Sequence, residues 1–203
     1  MAVTEVVRRQ VTIAGQVEDA QSAVAIAGAF VEITAAPAAF TAWLAMRALR
    51  YGSEWDGLAE RPDRTQTKPD GHFYFLDLPD GAYTLTARIA GAGSRYGNAQ
   101  VAATVAHNPD GSVPLNPVKL LVQPTVLTGL VKKNGAPVAM AEIRIKGSGE
   151  FTYTDDTGRY LLAGVEAGAR TLLASAQGCQ PGSQNVTAVA GTAVASDFAM
   201  VPA

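Results

Sequence analysis

Thr154-Asp-Asp-Thr-Gly-Arg-Tyr-Leu-Leu-Ala-Gly-Val-Glu-Ala-Gly-Ala-Arg-Thr-Leu-Leu-Ala-Ser-Ala-Gln-Gly178 follows a script already written at Thr67-Lys-Pro-Asp-Gly-His-Phe-Tyr-Phe-Leu-Asp-Leu-Pro-Asp-Gly-Ala-Tyr-Thr-Leu-Thr-Ala-Arg-Ile-Ala-Gly91. Nine pairs, among them Gly71/Gly158, Phe73/Tyr160, Leu85/Leu172 and Gly91/Gly178, share one offset (158 − 71 = 87). A constant offset over so many positions marks a duplicated unit. Upstream, Val11/Val126 and Gly15/Gly129 match, and Ala29/Ala141, Val31/Ile143 and Ile33/Ile145 do so at a larger offset (145 − 33 = 112). The first copy therefore carries 112 − 87 = 25 extra residues between Ile33 and Thr67.

Within each copy, apolar residues alternate over short runs bounded by Gly, Asp, Asn and Pro, the pattern of strands with one buried face. Phe73, Phe75, Tyr83, Leu85 and Ala87 fall on the inward positions, with Asp70-Gly71 and Asp80-Gly81 as turns. Asn134-Gly135 is a hairpin signal, because both residue types tolerate positive φ. Short strands with turns at this spacing predict an all-β chain of two β-sandwiches in series, residues 1–123 and 124–203, divided where Pro124 interrupts strand pairing. Cys179 is the single cysteine among 203 residues, so no internal disulfide can form.

The 16 basic and 18 acidic side chains give a net charge of −2, which supplies no electrostatic reason for a nucleic-acid or anionic-membrane partner. Neither is expected. Glu5, Arg8 and Arg9 precede a Val11–Gly15 segment too short for the apolar part of a signal peptide, and the Ala-rich run 23–31 is far short of a membrane span. The expectation is a cytoplasmic protein without signal peptide or membrane insertion, which a released particle could still incorporate.

The insertion, residues 34–66, breaks the strand pattern. Pro37 opens a run of helix formers, Ala38–Tyr51, that Gly52 can end. On a helical wheel Phe40, Leu44, Arg47 and Tyr51 cluster, Trp43 and Met46 widen that face and Leu49 lies opposite. A helix apolar nearly all round is either sunk between elements or offers a face to a neighbour. Two readings follow: a cap over an open end of the first sandwich, or a protein interface built on Phe40, Trp43, Leu44, Met46, Arg47, Tyr51, Trp55, Arg61 and Arg64, since Trp, Tyr and Arg dominate interface energetics. Trp43 and Trp55 could alternatively stack on sugar rings. Arg61-Pro62-Asp63-Arg64-Thr65, after Glu54, Asp56 and Glu60, reads as a solvated charged loop or as ion pairs across a subunit contact.

Other motifs reduce to turns. Asp156-Thr157-Gly158 has the letters of an aspartic-protease triplet, but the first copy has Pro69-Asp70-Gly71 there, so no second triplet supplies the paired carboxylate. Asp155 and Asp156 lack the ligand ladder calcium requires. His72 and His107 stand alone, without metal-ligand spacing or a nucleophile elbow. Asn185-Val186-Thr187 is a short triplet that recurs by chance. No catalytic, metal or cofactor site is expected.

Gly129-x-Val131, Asn134-Gly135-x-Pro137, Ala141-x-Ile143-x-Ile145, Thr154-Asp155-x-x-Gly158-x-Tyr160-x-Leu162, Val165-x-x-Gly168 and Ser175-Ala176-x-Gly178 resemble the carboxypeptidase regulatory-like domain. The first copy shares Asp70-Gly71-x-Phe73-x-Phe75-x-x-Leu78-Pro79-x-Gly81-x-Tyr83 and departs at the insertion and after Gly91. That resemblance implies transthyretin-like (Ig-like) sandwiches and a non-catalytic module. Hydrolases on related sandwiches end in Tyr-Arg-Gly-Ser, whereas this chain ends Ala199-Met200-Val201-Pro202-Ala203, and the isolated His72 and His107 do not supply the iron ligands of intradiol dioxygenases. A similarity of Trp43–Tyr83 to accessory proteins of phage-tail-like contractile injection systems implies other protein subunits as partners, in a homo-oligomer or a tail-like particle. The expected function is a structural or adaptor protein, with a carbohydrate-binding module as the alternative.

Overall fold

The computed structural model describes residues 9–58, 60–115 and 117–203. Glu5 and Arg8, read above at the chain start, lie outside them. The chain separates into two compact units: residues 1–90 with 98–122, and residues 123–203 with 91–97. Read linearly, Gly91–Gly97 belong with the first sandwich. Their backbone bonds run instead to the second unit: Gly97 donates to the Gln123 carbonyl (2.9 Å), Thr125 to the Arg95 carbonyl (2.8 Å), and the Thr125 hydroxyl to the Ser94 carbonyl (2.8 Å).

In the first unit the elements are β1 (Val11–Asp19), β2 (Ala29–Ala35), α1 (Ala38–Tyr51), a 3-10 segment (Gly52–Gly57), β3 (Arg64–Gln66), β4 (His72–Leu76), β5 (Gly81–Ile89), β6 (Ala99–Val105) and β7 (Val118–Val122). They form sheets ordered β4-β1-β7 and β3-β2-β5-β6. The alternation read from the sequence is met: Phe73, Phe75, Tyr83, Leu85 and Ala87 are buried, with Val17, Val31 and Leu120.

The second unit repeats the plan with β8 (Val126–Lys133), β9 (Ala136–Pro137), β10 (Glu142–Ile145), β11 (Phe151–Tyr153), β12 (Arg159–Ala163), β13 (Gly168–Ser175), β14 (Gly182–Ala188), β15 (Ala193–Ala195) and β16 (Phe198–Met200). One sheet is ordered β11-β10-β13-β14. In the other, β12 pairs β8, which also pairs β9, β15 and β16. Asn134 and Gly135 both have positive φ (50° and 83°) in the β8–β9 turn, as their sequence signal requires.

The duplication is visible atom by atom. Buried Thr67 donates its hydroxyl to the Ile26 carbonyl (2.6 Å) and accepts the Ala29 N–H (2.9 Å). Buried Thr154 does the same with Val138 (2.7 Å) and Ala141 (2.8 Å). Each threonine thus clips the turn leading into β2 or β10 to the strand-turn that enters β4 or β12. A second shared constraint is Gly15, opposite Phe73, and Gly129, opposite Tyr160. A Cβ at Gly15 would lie 2.6 Å from the Phe73 ring, and one at Gly129 2.9 Å from the Tyr160 ring, so glycine is what lets each aromatic ring lie against the backbone.

Thr67→Val or Thr154→Val keeps the shape but leaves a buried N–H and carbonyl without their bridge, so each is expected to cost about 1–3 kcal/mol in urea unfolding; a loss under about 0.5 kcal/mol, the range of ordinary surface changes, would show that the clip is dispensable. In the second unit Glu166 accepts from Ser94 Oγ (2.7 Å) and Arg95 Nε (3.2 Å), and the Ser94 hydroxyl foremost holds its carboxyl below the usual 4.5. A depressed folded pKa means the contribution is full above the unfolded value and fades as pH falls through the folded one. Glu166→Gln should therefore flatten the acid limb of the stability–pH curve and change its neutral slope little.

Candidate interaction face

The insertion folds as its punctuation dictates. Pro37 (φ −56°) caps α1, its carbonyl accepts both N–H and hydroxyl of Thr41, and Gly52 (φ +60°) ends the helix by donating to the Ala48 carbonyl. Of the helix side chains, Phe40 is the one buried. Its ring meets Tyr83 edge-on at 6.0 Å and Trp43 at 5.7 Å. Tyr83 is itself fixed by donating to the Pro79 carbonyl (2.7 Å), and burial pushes its phenol up to about 12. A helix that is apolar all round but anchored by one ring is not sunk between elements; it lies on the sandwich with Met46 and Leu49 outward and Leu44 half-buried.

Trp55 provides the second anchor, from the 3-10 segment. It is buried, 5.6 Å from Tyr51, and the Arg61 guanidinium stacks on it at 5.0 Å. Arg61 makes a two-pronged pair with Asp63 (3.0 and 2.9 Å), whose own carbonyl accepts the β2 N–H of Ile33. Arg64 binds Glu32 (3.4 Å) and the carbonyls of Asp56 and Leu58. The charge run expected as a solvated loop or subunit contact is thus an internal clamp. Its arginines are almost wholly covered (9% and 12% of side-chain surface exposed), and desolvated, bidentate guanidinium–carboxylate pairs hold geometry where exposed pairs do not.

The structure therefore divides the nine interface candidates. Phe40, Trp55, Arg61 and Arg64 fix the insertion to its own unit and keep little surface exposed, at the floor of the cleft between α1 and β4. Leu44 is half-buried, while Trp43, Met46, Arg47 and Tyr51 are exposed, joined by Leu49 at 83% exposure. The Arg47 guanidinium lies 4.9 Å over the Trp43 ring. Between this face and β4 runs a cleft of about 450 Å³, entered by Trp43, Arg47, Tyr51, Lys68, Tyr74 and Arg9. Volume and mixed aromatic and polar walls put it within the range of binding clefts.

Asn185-Val186-Thr187 lies within β14, and the acidic motifs sit in turns. Asp155 accepts Thr157 N–H (2.8 Å), Thr157 Oγ1 (2.7 Å) and Arg159 N–H (2.9 Å), and the threonine hydroxyl foremost depresses its pKa. His72 lies 3.4 Å from Asp70 across the turn before β4, and His107, after β6, lies 2.5 Å from Asp80 in the β4–β5 turn; both carboxyls are held low, by the His72 N–H and the His107 ring respectively. Among the described residues no three His, Cys, Asp or Glu side chains gather as a metal site, and no helix is long and apolar enough to cross a membrane.

Residues 126–201 match the carboxypeptidase regulatory-like domain. The match lies within the second unit. No curated protein matches the chain. Among solved structures, the shaft pilin SpaA from Lactobacillus rhamnosus GG is similar at 15% identity and a TM-score of 0.43, over 97% of this chain and 98% of that one. A streptococcal ancillary pilin is similar at 12% identity and a TM-score of 0.35, over 96% and 62%. A type II cohesin–X-dockerin complex from Acetivibrio cellulolyticus is similar at 18% identity and a TM-score of 0.29, over 37% and 51%. At these scores none of them bears on function.

Phe40→Ala removes the anchor and is expected to cost about 3–5 kcal/mol by denaturant unfolding, whereas Met46→Glu and Leu49→Glu should stay within about 0.5 kcal/mol of the parent. Comparable losses at all three would place the outer face of α1 in the core.

Proposed function

We propose that this protein is a non-catalytic assembly module: two rigid β-sandwiches, the first of which presents a docking face on α1. The observation that carries this reading is the exposed apolar surface of α1: Met46 and Leu49 stay 71% and 83% exposed on its outer side and Trp43 and Tyr51 half-exposed at its flanks, while buried Phe40 and Trp55 hold the insertion in place. Grouped exposed apolar side chains of this kind are a feature of surfaces that meet another protein. The carboxypeptidase regulatory-like match of residues 126–201 agrees with a structural module.

The finer reading is an adaptor assembled inside the cell into a phage-tail-like contractile injection particle. It is supported by the resemblance of the Trp43–Tyr83 stretch, with its Arg61-Pro62-Asp63-Arg64-Thr65 run and Phe73–Tyr83 strand, to accessory proteins of such systems. The carbohydrate reading is narrower than the sequence suggested, because Trp55 is buried under Arg61 and only Trp43 offers an indole face.

Native purification followed by mass spectrometry tests both levels. Co-purification with tube, sheath or baseplate proteins, lost in Met46→Glu/Leu49→Glu, is the expected result. A lone monomer with unchanged behaviour in that variant would overturn the assembly reading, and companions unrelated to tail-like particles would overturn the finer one.

A further inference from the structure

The cleft beside α1 has one wall that a helix face does not supply. β4 is the edge of its sheet, with β1 as its one strand partner; the Lys68 N–H takes the His72 carbonyl (2.8 Å) at its start, and beyond that Tyr74, Phe75, Leu76 and Asp77 line the cleft. The Phe75 carbonyl accepts the Thr12 hydroxyl (3.2 Å) and the Asp77 N–H goes to the Gln10 carbonyl (2.9 Å), so these two residues turn their backbone toward β1. Strand alternation then directs the N–H and carbonyl groups of Tyr74 and Leu76 to the open side. Unpaired edge groups are a template for another extended chain.

The cleft's side chains specify what that chain would carry. Arg9 before β1, Arg47 on α1 and Lys68 in the β3–β4 turn converge there from three places, and none makes an ion pair among the described residues. Arg61 and Arg64, which also line the cleft, are by contrast matched to Asp63 and Glu32. Two carboxylates also line the cleft without a cation, Glu60 and Asp77, which leaves an excess of one positive charge, and Asp77 already accepts the Gln10 N–H (2.8 Å). With its face stacked on Trp43, the Arg47 guanidinium keeps its N–H edge free for a carboxylate.

We infer that the cleft between α1 and β4 receives an extended, acidic segment of a partner protein, added as a strand to the β4 edge, with apolar side chains on Trp43, Tyr51 and Tyr74 and carboxylates on Arg47, Lys68 and Arg9. Main-chain bonds supply affinity and alternate side chains supply choice, as in other strand-addition sites. This deepens the assembly reading and rests on it.

The test is titration of the full chain, by calorimetry and amide NMR, with a capped peptide alternating valine and glutamate. Saturable binding that shifts the Tyr74 and Leu76 amides is expected. It should weaken by about tenfold or more, roughly 1.4 kcal/mol, in Arg47→Glu/Lys68→Glu, and similarly when alternate peptide nitrogens are methylated, a change that leaves the protein untouched. Equal binding of a control peptide alternating valine and lysine, no saturable binding up to millimolar concentration, or binding of cellohexaose instead would overturn the inference. If those failures occur while Met46→Glu/Leu49→Glu still abolishes assembly, the docking face stands and only its strand-addition site falls.

Discussion

A single buried hydroxyl in each sandwich decides how its strands can be connected. Thr67 and Thr154 donate to one carbonyl and accept one N–H, joining the turn before β2 or β10 to the segment that leads into β4 or β12. Both ends of the bridge are backbone groups that the core would otherwise leave without partners, which is costly in a low-dielectric interior. With the clip closed, β1 and β8 lie across the glycine–aromatic contacts at Gly15/Phe73 and Gly129/Tyr160, and the two sheets of each unit meet over them.

Because the clip ties the start of β2 to the residue after β3, away from the end where the insertion leaves and returns, the first sandwich could take up a helix without altering its strand order. The 25 added residues enter after β2 and come back at β3, upstream of Thr67. What they add is its own small structure, pinned by Phe40 on Tyr83 and by Trp55 under Arg61. These anchors consume the residues that would otherwise make the helix stick everywhere; they leave Met46 and Leu49 outward and Trp43 and Tyr51 on the cleft beside the edge of β4. The docking face proposed above lies on the inserted segment, and the sandwich is its support.

Much of this was legible in the residues, for physical reasons. A constant offset exposes duplication because turn glycines and inward apolar positions cannot drift independently, and Pro37 with Gly52 brackets α1 because one fits a helix start and the other its left-handed end. The clamp of Arg61, Asp63 and Arg64 was not legible. A dense charge run looks the same whether water or Trp55 covers it, and only the folded insertion decides. Gly91–Gly97 misled by continuity, since their partners Gln123 and Thr125 lie in the other unit. Matching also misses unlike side chains that make the same kind of bond. Tyr83 donates to the Pro79 carbonyl, while at the corresponding place Arg170 Nε donates to the Glu166 carbonyl (2.9 Å).

Native-state hydrogen exchange on the full chain tests the central claim most directly, because it separates core from graft without a mutation. The Ala29 and Ala141 amides, held by the threonine hydroxyls, should exchange only through unfolding of their own units, and the α1 amides from Ala42 to Tyr51 should exchange through much smaller local openings. Protection of α1 equal to that of Ala29 would contradict the account, for it would make the helix part of the core and not a face carried on its surface.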